Sequence, residues 1–180
     1  GPAASTPAPD SGTTPAPEAP TPADRANLQA WHGELDSRLD RYIRPHAEDA
    51  AMVTHRGRLK KAAEHFRKQA WMEAAALYGK LGSTLQQEGQ ATLARNQVRG
   101  REAWSLGFES LSLRALCLFL AEEPARARAA FDALLQTSPK GAMASARALS
   151  MVRGRAKAYL GRLPRPTRRT DSGRPKGLTR

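Results

Sequence analysis

Residues 111–139 read LSLRALCLFLAEEPARARAAFDALLQTSP, and two helices account for nearly all of them. The first half belongs to a pattern over roughly 108–121 that carries Phe108, Leu111, Ala115, Leu116, Leu118 and Phe119. It is apolar almost all round, which marks the most buried element of the chain. Pro124 then suits the first turn of a new helix, where its missing N–H costs nothing. From there Ala127, Ala130, Phe131, Leu134 and Leu135 recur at spacings of three and four, an inward stripe that Ser138-Pro139 closes.

The same reading extends outward in both directions. Thr21-Pro22-Ala23-Asp24 combines a hydroxyl cap, a proline at the first helical position and a carboxylate three residues on. Leu28, Trp31, Leu35, Leu39 and Tyr42 follow as one stripe, and Pro45 ends the helix near Arg44. A second pattern spans about 47–69, with Met52, Leu59, Ala62, Ala63 and Phe66 inward and Gly57 as a weak point. A third spans about 71–87, with Trp71, Ala74, Ala75, Tyr78, Leu81 and Leu85. Gly89 reads as a turn, after which a fourth helix carries Leu93, Ala94, Val98 and Trp104. Beyond Pro139 a seventh uses Ala142, Leu149, Val152, Ala156 and Tyr159, with Gly161 as its cap. No stretch alternates with the period of a strand, so an all-α fold is expected.

Composition sets the domain limits. Hydrophobic residues make up 40% and aromatic residues 6% of the 180, so the core must be built largely from Ala and Leu. Residues 1–20 are rich in Pro, Ala, Ser and Thr and read as a disordered linker. The opening Gly1-Pro2 resembles a protease-cleavage scar, with something upstream removed. A linker of this kind slightly favours a bacterial cell envelope setting. Residues 21–162 form the helical domain. Residues 163–180 read as a disordered basic tail, with Arg165, Arg168, Arg169, Arg174, Lys176 and Arg180 facing only Asp171. No run of about 18 apolar residues is present, so no membrane-spanning helix is expected.

The segment 111–139 resembles one tetratricopeptide repeat. Leu111, Ala115 and Leu118 stand on the first helix, and Ala127, Phe131, Leu134 and Pro139 on the second, in that family's register. Ala62 with Ala74, Tyr78 and Leu81 is a second, partial match. The two lie 53 residues apart, Ala74 to Ala127, where the family period is about 34. The resemblance implies antiparallel helical hairpins stacked as a short tetratricopeptide-like solenoid of about seven helices. It further implies a concave surface lined by the first helix of each pair, which places Arg58, His65, Arg114 and Leu118 as contacts for a partner peptide or helix.

Catalytic chemistry is thinly represented. His32, His46, His55 and His65 read as solvated surface residues, because no pair has the spacing that puts two imidazoles on one helical face. Gly79-Lys80 lacks the earlier glycine and the following hydroxyl of a phosphate loop, and reads as a helix C-terminal turn. Glu109-Ser110 faintly resembles the acid of lytic transglycosylases. A hydrolase would need a pocket where Glu109 converges with another carboxylate such as Glu64. Cys117, the single cysteine, excludes an internal disulfide and reads as a small core residue. No enzyme activity, cofactor or metal is expected.

Charge is the remaining signal. The chain carries +12, from 29 Lys+Arg against 17 Asp+Glu. Residues 146–180 hold eleven basic residues against Asp171, which is +10 of that total. Arg147, Arg153, Arg155, Lys157, Arg168 and Arg169 are therefore candidate contacts for an acidic partner. A second basic group, Arg56, Arg58, Lys60, Lys61, Arg67 and Lys68, reads as an outer surface of the second helix. The functional expectation is a protein–protein interaction or adaptor module. The alternative is nucleic-acid binding through the basic C-terminal third, by phosphate neutralisation.

Overall fold

The computed structural model describes residues 18–166; Arg168 and Arg169 lie outside them. Among the described residues there are six α-helices and no strand: α1 Pro22–Ile43, α2 Ala50–Arg67, α3 Trp71–Thr92, α4 Gln97–Leu120, α5 Pro124–Gln136 and α6 Ala146–Leu160. A short 3-10 turn, Arg44–His46, follows α1. The α1 boundaries follow from the chemistry of its ends. The Asp24 carboxylate accepts from the Thr21 N–H at 2.8 Å, and the α-helix gives way at Ile43, two residues before Pro45.

The expected count of seven is corrected to six. The fourth and fifth expected helices are one rod, α4, and Gly89 lies inside α3, whose true end is four residues before the Asn96 cap of α4. Glycine here serves packing between helices, not a turn. A Cβ on Gly89 would stand 2.6 Å from the Gly100 carbonyl oxygen, and one on Gly107 would stand 2.5 Å from that of Gly82. Gly89 faces Gly100 while Gly82 faces Gly107, so α3 and α4 run antiparallel with their backbones nearly touching. The stretch Gly79-Lys80 is correspondingly mid-helix, not a C-terminal turn. Gly57 is likewise inside an unbroken α2. At the other end, Ala142 precedes α6 and gives its carbonyl to Arg101.

Helix α4 is the hub, packed by α1, α3, α5 and α6. It is the one described helix long and apolar enough to cross a membrane by length and composition, and 89% of its apolar window is buried among the other helices. Cys117 is sealed within it, where burial pushes the thiol pKa up. Side-chain contacts fix the remaining directions. Ser105, Ser112 and Phe119 of α4 meet Ser145, Arg155 and Tyr159, so α4 and α6 run parallel. Helix α1 runs antiparallel to both, through Asp24–Arg162, Asn27–Tyr159, Arg38–Met151 and Arg38–Glu109.

Two corners of the chain correspond with a shift of 53. Residues 68–70 join α2 to α3 and residues 121–123 join α4 to α5. The middle residues, Gln69 and Glu122, both have φ of 58°. The Ala70 N–H donates to the His65 carbonyl at 2.9 Å and the Glu123 N–H to the Leu118 carbonyl at 3.1 Å, the bond that ends a helix in a left-handed cap. Around them Ala62 and Ala115, Ala74 and Ala127, Tyr78 and Phe131, Leu81 and Leu134 are all buried.

Candidate functional site

Along one face of α4, Val98, Arg101, Glu102, Ser105, Leu106 and Glu109 recur at spacings of three and four. This face borders a cleft of about 360 Å³, flanked by Arg38 and Arg41 of α1 and by Ser145, Arg147 and Ala148 at the start of α6. Beside the cleft, Arg38 Nη2 of α1 reaches Met151 Sδ of α6 at 3.8 Å, close to the start of that helix. Val98 stands at the rim, 74% exposed.

Among the described residues, four guanidinium groups border the cleft against two carboxylates. Arg38 is committed: it holds Glu109 Oε2 through Nη2 at 2.7 Å and Nε at 3.0 Å. Glu109 is only 4% exposed. Burial raises its carboxyl pKa more than Arg38 lowers it, so it stays above the ordinary glutamate value. Arg101 is oriented by its Nε donating to the Ala142 carbonyl at 2.8 Å. Arg41 and Arg147 are exposed. With Arg38 and Glu109 paired, Arg41, Arg101 and Arg147 face Glu102 alone, and the cleft has a cationic rim over an apolar wall of Val98, Leu106 and Ala148.

Of the expected contact residues, Arg147 reaches this cleft. Lys157 is exposed on α6 outside it. Arg153 is half-buried, donating to the Thr137 carbonyl at 2.9 Å. Arg155 is a correction. Only 8% exposed, it points inward. Its guanidinium lies 4.2 Å over the Trp31 ring, donates to Ser112 at 3.1 Å and pairs with Glu34 at 3.2 Å, and burial pushes its pKa down to about 10. Leu118 is a second correction: at 1% exposure it packs the core and offers nothing to a partner. Arg58 donates to Thr84 at 3.1 Å, His65 closes α2, and Arg114 lies along Gly79 of α3. None of these borders the cleft.

His55 is also corrected. It is fully buried, its Nε2 3.3 Å from Glu88 Oε1, while the Tyr42 hydroxyl donates to the other oxygen of Glu88. His32 is partly covered, its Nδ1 2.7 Å from the Tyr78 hydroxyl. Glu64 is exposed on α2 while Glu109 is buried in α4, so the two form no acid pair. Among the described residues no group of three or more His, Cys, Asp or Glu is placed to hold a metal ion.

Sequence reasoning missed Arg38, Arg41 and Arg101 as a group. The signal was present in the Val98-to-Glu109 stripe, which becomes visible once α4 is read as one continuous helix. No family model, curated protein or solved structure matches this chain.

Proposed function

We propose that the chain is a non-enzymatic interaction module that docks an acidic segment of a partner protein in the cleft between α1, α4 and α6. The observation that carries this reading is the charge left over there: Arg41, Arg101 and Arg147 oppose a single carboxylate, beside the exposed side chain of Val98. Such an arrangement suits a partner that offers carboxylates around one apolar anchor. The cationic rim steers the approach and the apolar wall supplies the buried area.

The 53-residue correspondence supports stacked helical hairpins of tetratricopeptide kind, with α2–α3 and α4–α5 as two units and α6 opening a third. In that arrangement α2, α4 and α6 are the first helices of their pairs, and α1 lies against them where a foreign helix would otherwise sit. The partner's place is then the end of the groove that α1 leaves open. The alternative of phosphate binding through the C-terminal third loses support from Arg155 and Arg153, whose guanidiniums are engaged inside the fold.

The test is titration of the full chain with a labelled acidic amphipathic peptide and with its neutral amide counterpart. The acidic peptide should bind, and Arg147→Glu and Arg101→Glu should each weaken it by about tenfold. Equal binding of the neutral peptide, or indifference to both substitutions, would remove the cleft from consideration.

A further inference from the structure

A second cavity lies at the other end of α1, about 24 Å from the cleft at 1.5 Å per residue between Arg25 and Arg41. It is a notch of about 410 Å³ at the α2–α3 corner. Two half-buried aromatic residues, Phe66 and Trp71, border it together with Arg25, Arg67, Gln29 and Gln69, and among the described residues no carboxylate does. The Phe66 ring is already engaged edge-on with His32, centroids 5.3 Å apart, while among the described residues Trp71, partly buried against the core, is paired with no other ring.

The equivalent corner at α4–α5 shows what this composition adds. Its notch, about 150 Å³, has Phe119, Glu122 and Pro124 where the first has Phe66, Gln69 and Trp71, and Glu18 adds a second carboxylate. Arg67 corresponds to Leu120. One backbone geometry therefore carries an aromatic, cationic notch at one corner and a small acidic one at the other. Gln69 sharpens the point. Its φ of 58° is one that glycine adopts without strain, yet a side chain with both a donor and an acceptor stands there and faces the notch.

We propose that this notch binds a nucleoside phosphate unit, either free or within a single strand. The base stacks on Trp71, the carboxamides of Gln29 and Gln69 meet its polar edge, and Arg25 and Arg67 hold the phosphate. This binding is independent of the acidic segment assigned to the cleft.

The experiment follows tryptophan fluorescence of the full chain during titration with AMP, an eight-residue oligoadenylate, inorganic phosphate and a polyglutamate peptide. Saturable quenching by AMP identifies the free nucleotide as the source, and quenching by the oligomer alone identifies a strand; either supports the site. Arg25→Glu and Arg67→Glu, both at exposed positions, should each weaken binding by about tenfold. Gln69→Gly should weaken it while raising the melting temperature, which separates recognition from folding. Arg126→Glu, an identical charge change at an exposed position of α5, should leave it unaltered. The proposal is overturned by absence of saturable quenching, by equal competition from phosphate or polyglutamate, or by an equal loss in the Arg126 variant. Acidic-peptide binding at the cleft, measured on the same variants, reports separately on that site.

Discussion

The two helix pairs α2–α3 and α4–α5 are built on one plan and spend it differently. In the second pair the first helix is buried on nearly every side, and Phe108 fills the position that His55 holds in the first. In the first pair, that His55 engages Glu88, which also accepts from the Tyr42 hydroxyl, and the outer face of α2 stays in solvent. α3 also runs to 22 residues where α5 stops at 13, and the added length carries Gly89, which extends the contact with α4 beyond Gly82. Two corners of one backbone geometry thus carry different burial and different surface chemistry.

The largest effect is expected at the buried aromatic positions Phe131 and Tyr78. Phe131→Ala removes a fully buried ring stacked on Tyr159 at 5.4 Å and should cost about 4 kcal/mol by urea unfolding. Tyr78→Phe, at the equivalent place, should cost only about 1 kcal/mol, the loss of the bond to His32. Next is the seam that the two pairs share. Gly107→Ala drives a methyl into the backbone of Gly82 and should cost about 3 kcal/mol, whereas Gly57→Ala, where nothing lies within 4 Å, should stabilise slightly.

The tie of α1 to the C-terminal end of the fold gives a pH signature. Burial alone would raise the Asp24 carboxyl, but Arg162, with the Thr21 and Tyr159 bonds, holds it well below the usual carboxylate range. A depressed folded-state pKa adds stability above the unfolded value of about 4, and that contribution fades as pH falls below it. Asp24→Asn should cost about 2 kcal/mol at neutral pH and flatten the stability loss between about pH 4 and pH 2. Chemical denaturation across that range measures it. The smallest effect is at the corners: Gln69→Gly and Glu122→Gly should each gain about 0.5–1 kcal/mol, and equal gains would confirm that the two caps carry equal strain.

Much of this was legible in the sequence where local chemistry and tertiary role agree. Thr21, Pro22 and Asp24 announce α1, Pro45 stops it, and the Ala127–Phe131–Leu134 stripe is buried as its period requires. Reading failed where one residue type serves two ends. Gly89 looks like an interruption to a local rule and is a packing surface to a distant helix. Reading α4 as two helices hid the cleft that forms along it. Arg155 was counted with its charged neighbours along the chain, although Val152, Arg155, Ala156 and Tyr159 share the inward face of α6. Burial of an arginine depends on Glu34, Ser112 and Trp31 arriving from elsewhere in the chain, which no window of sequence contains.

Cys117 has a practical consequence. As the single thiol of the chain, locked inside the hub helix, it can meet a water-soluble alkylating reagent only when the packing around α4 comes apart. The rate at which it becomes modified is thus an intrinsic clock for opening of the whole assembly, needing no added label and blind to fraying at the ends.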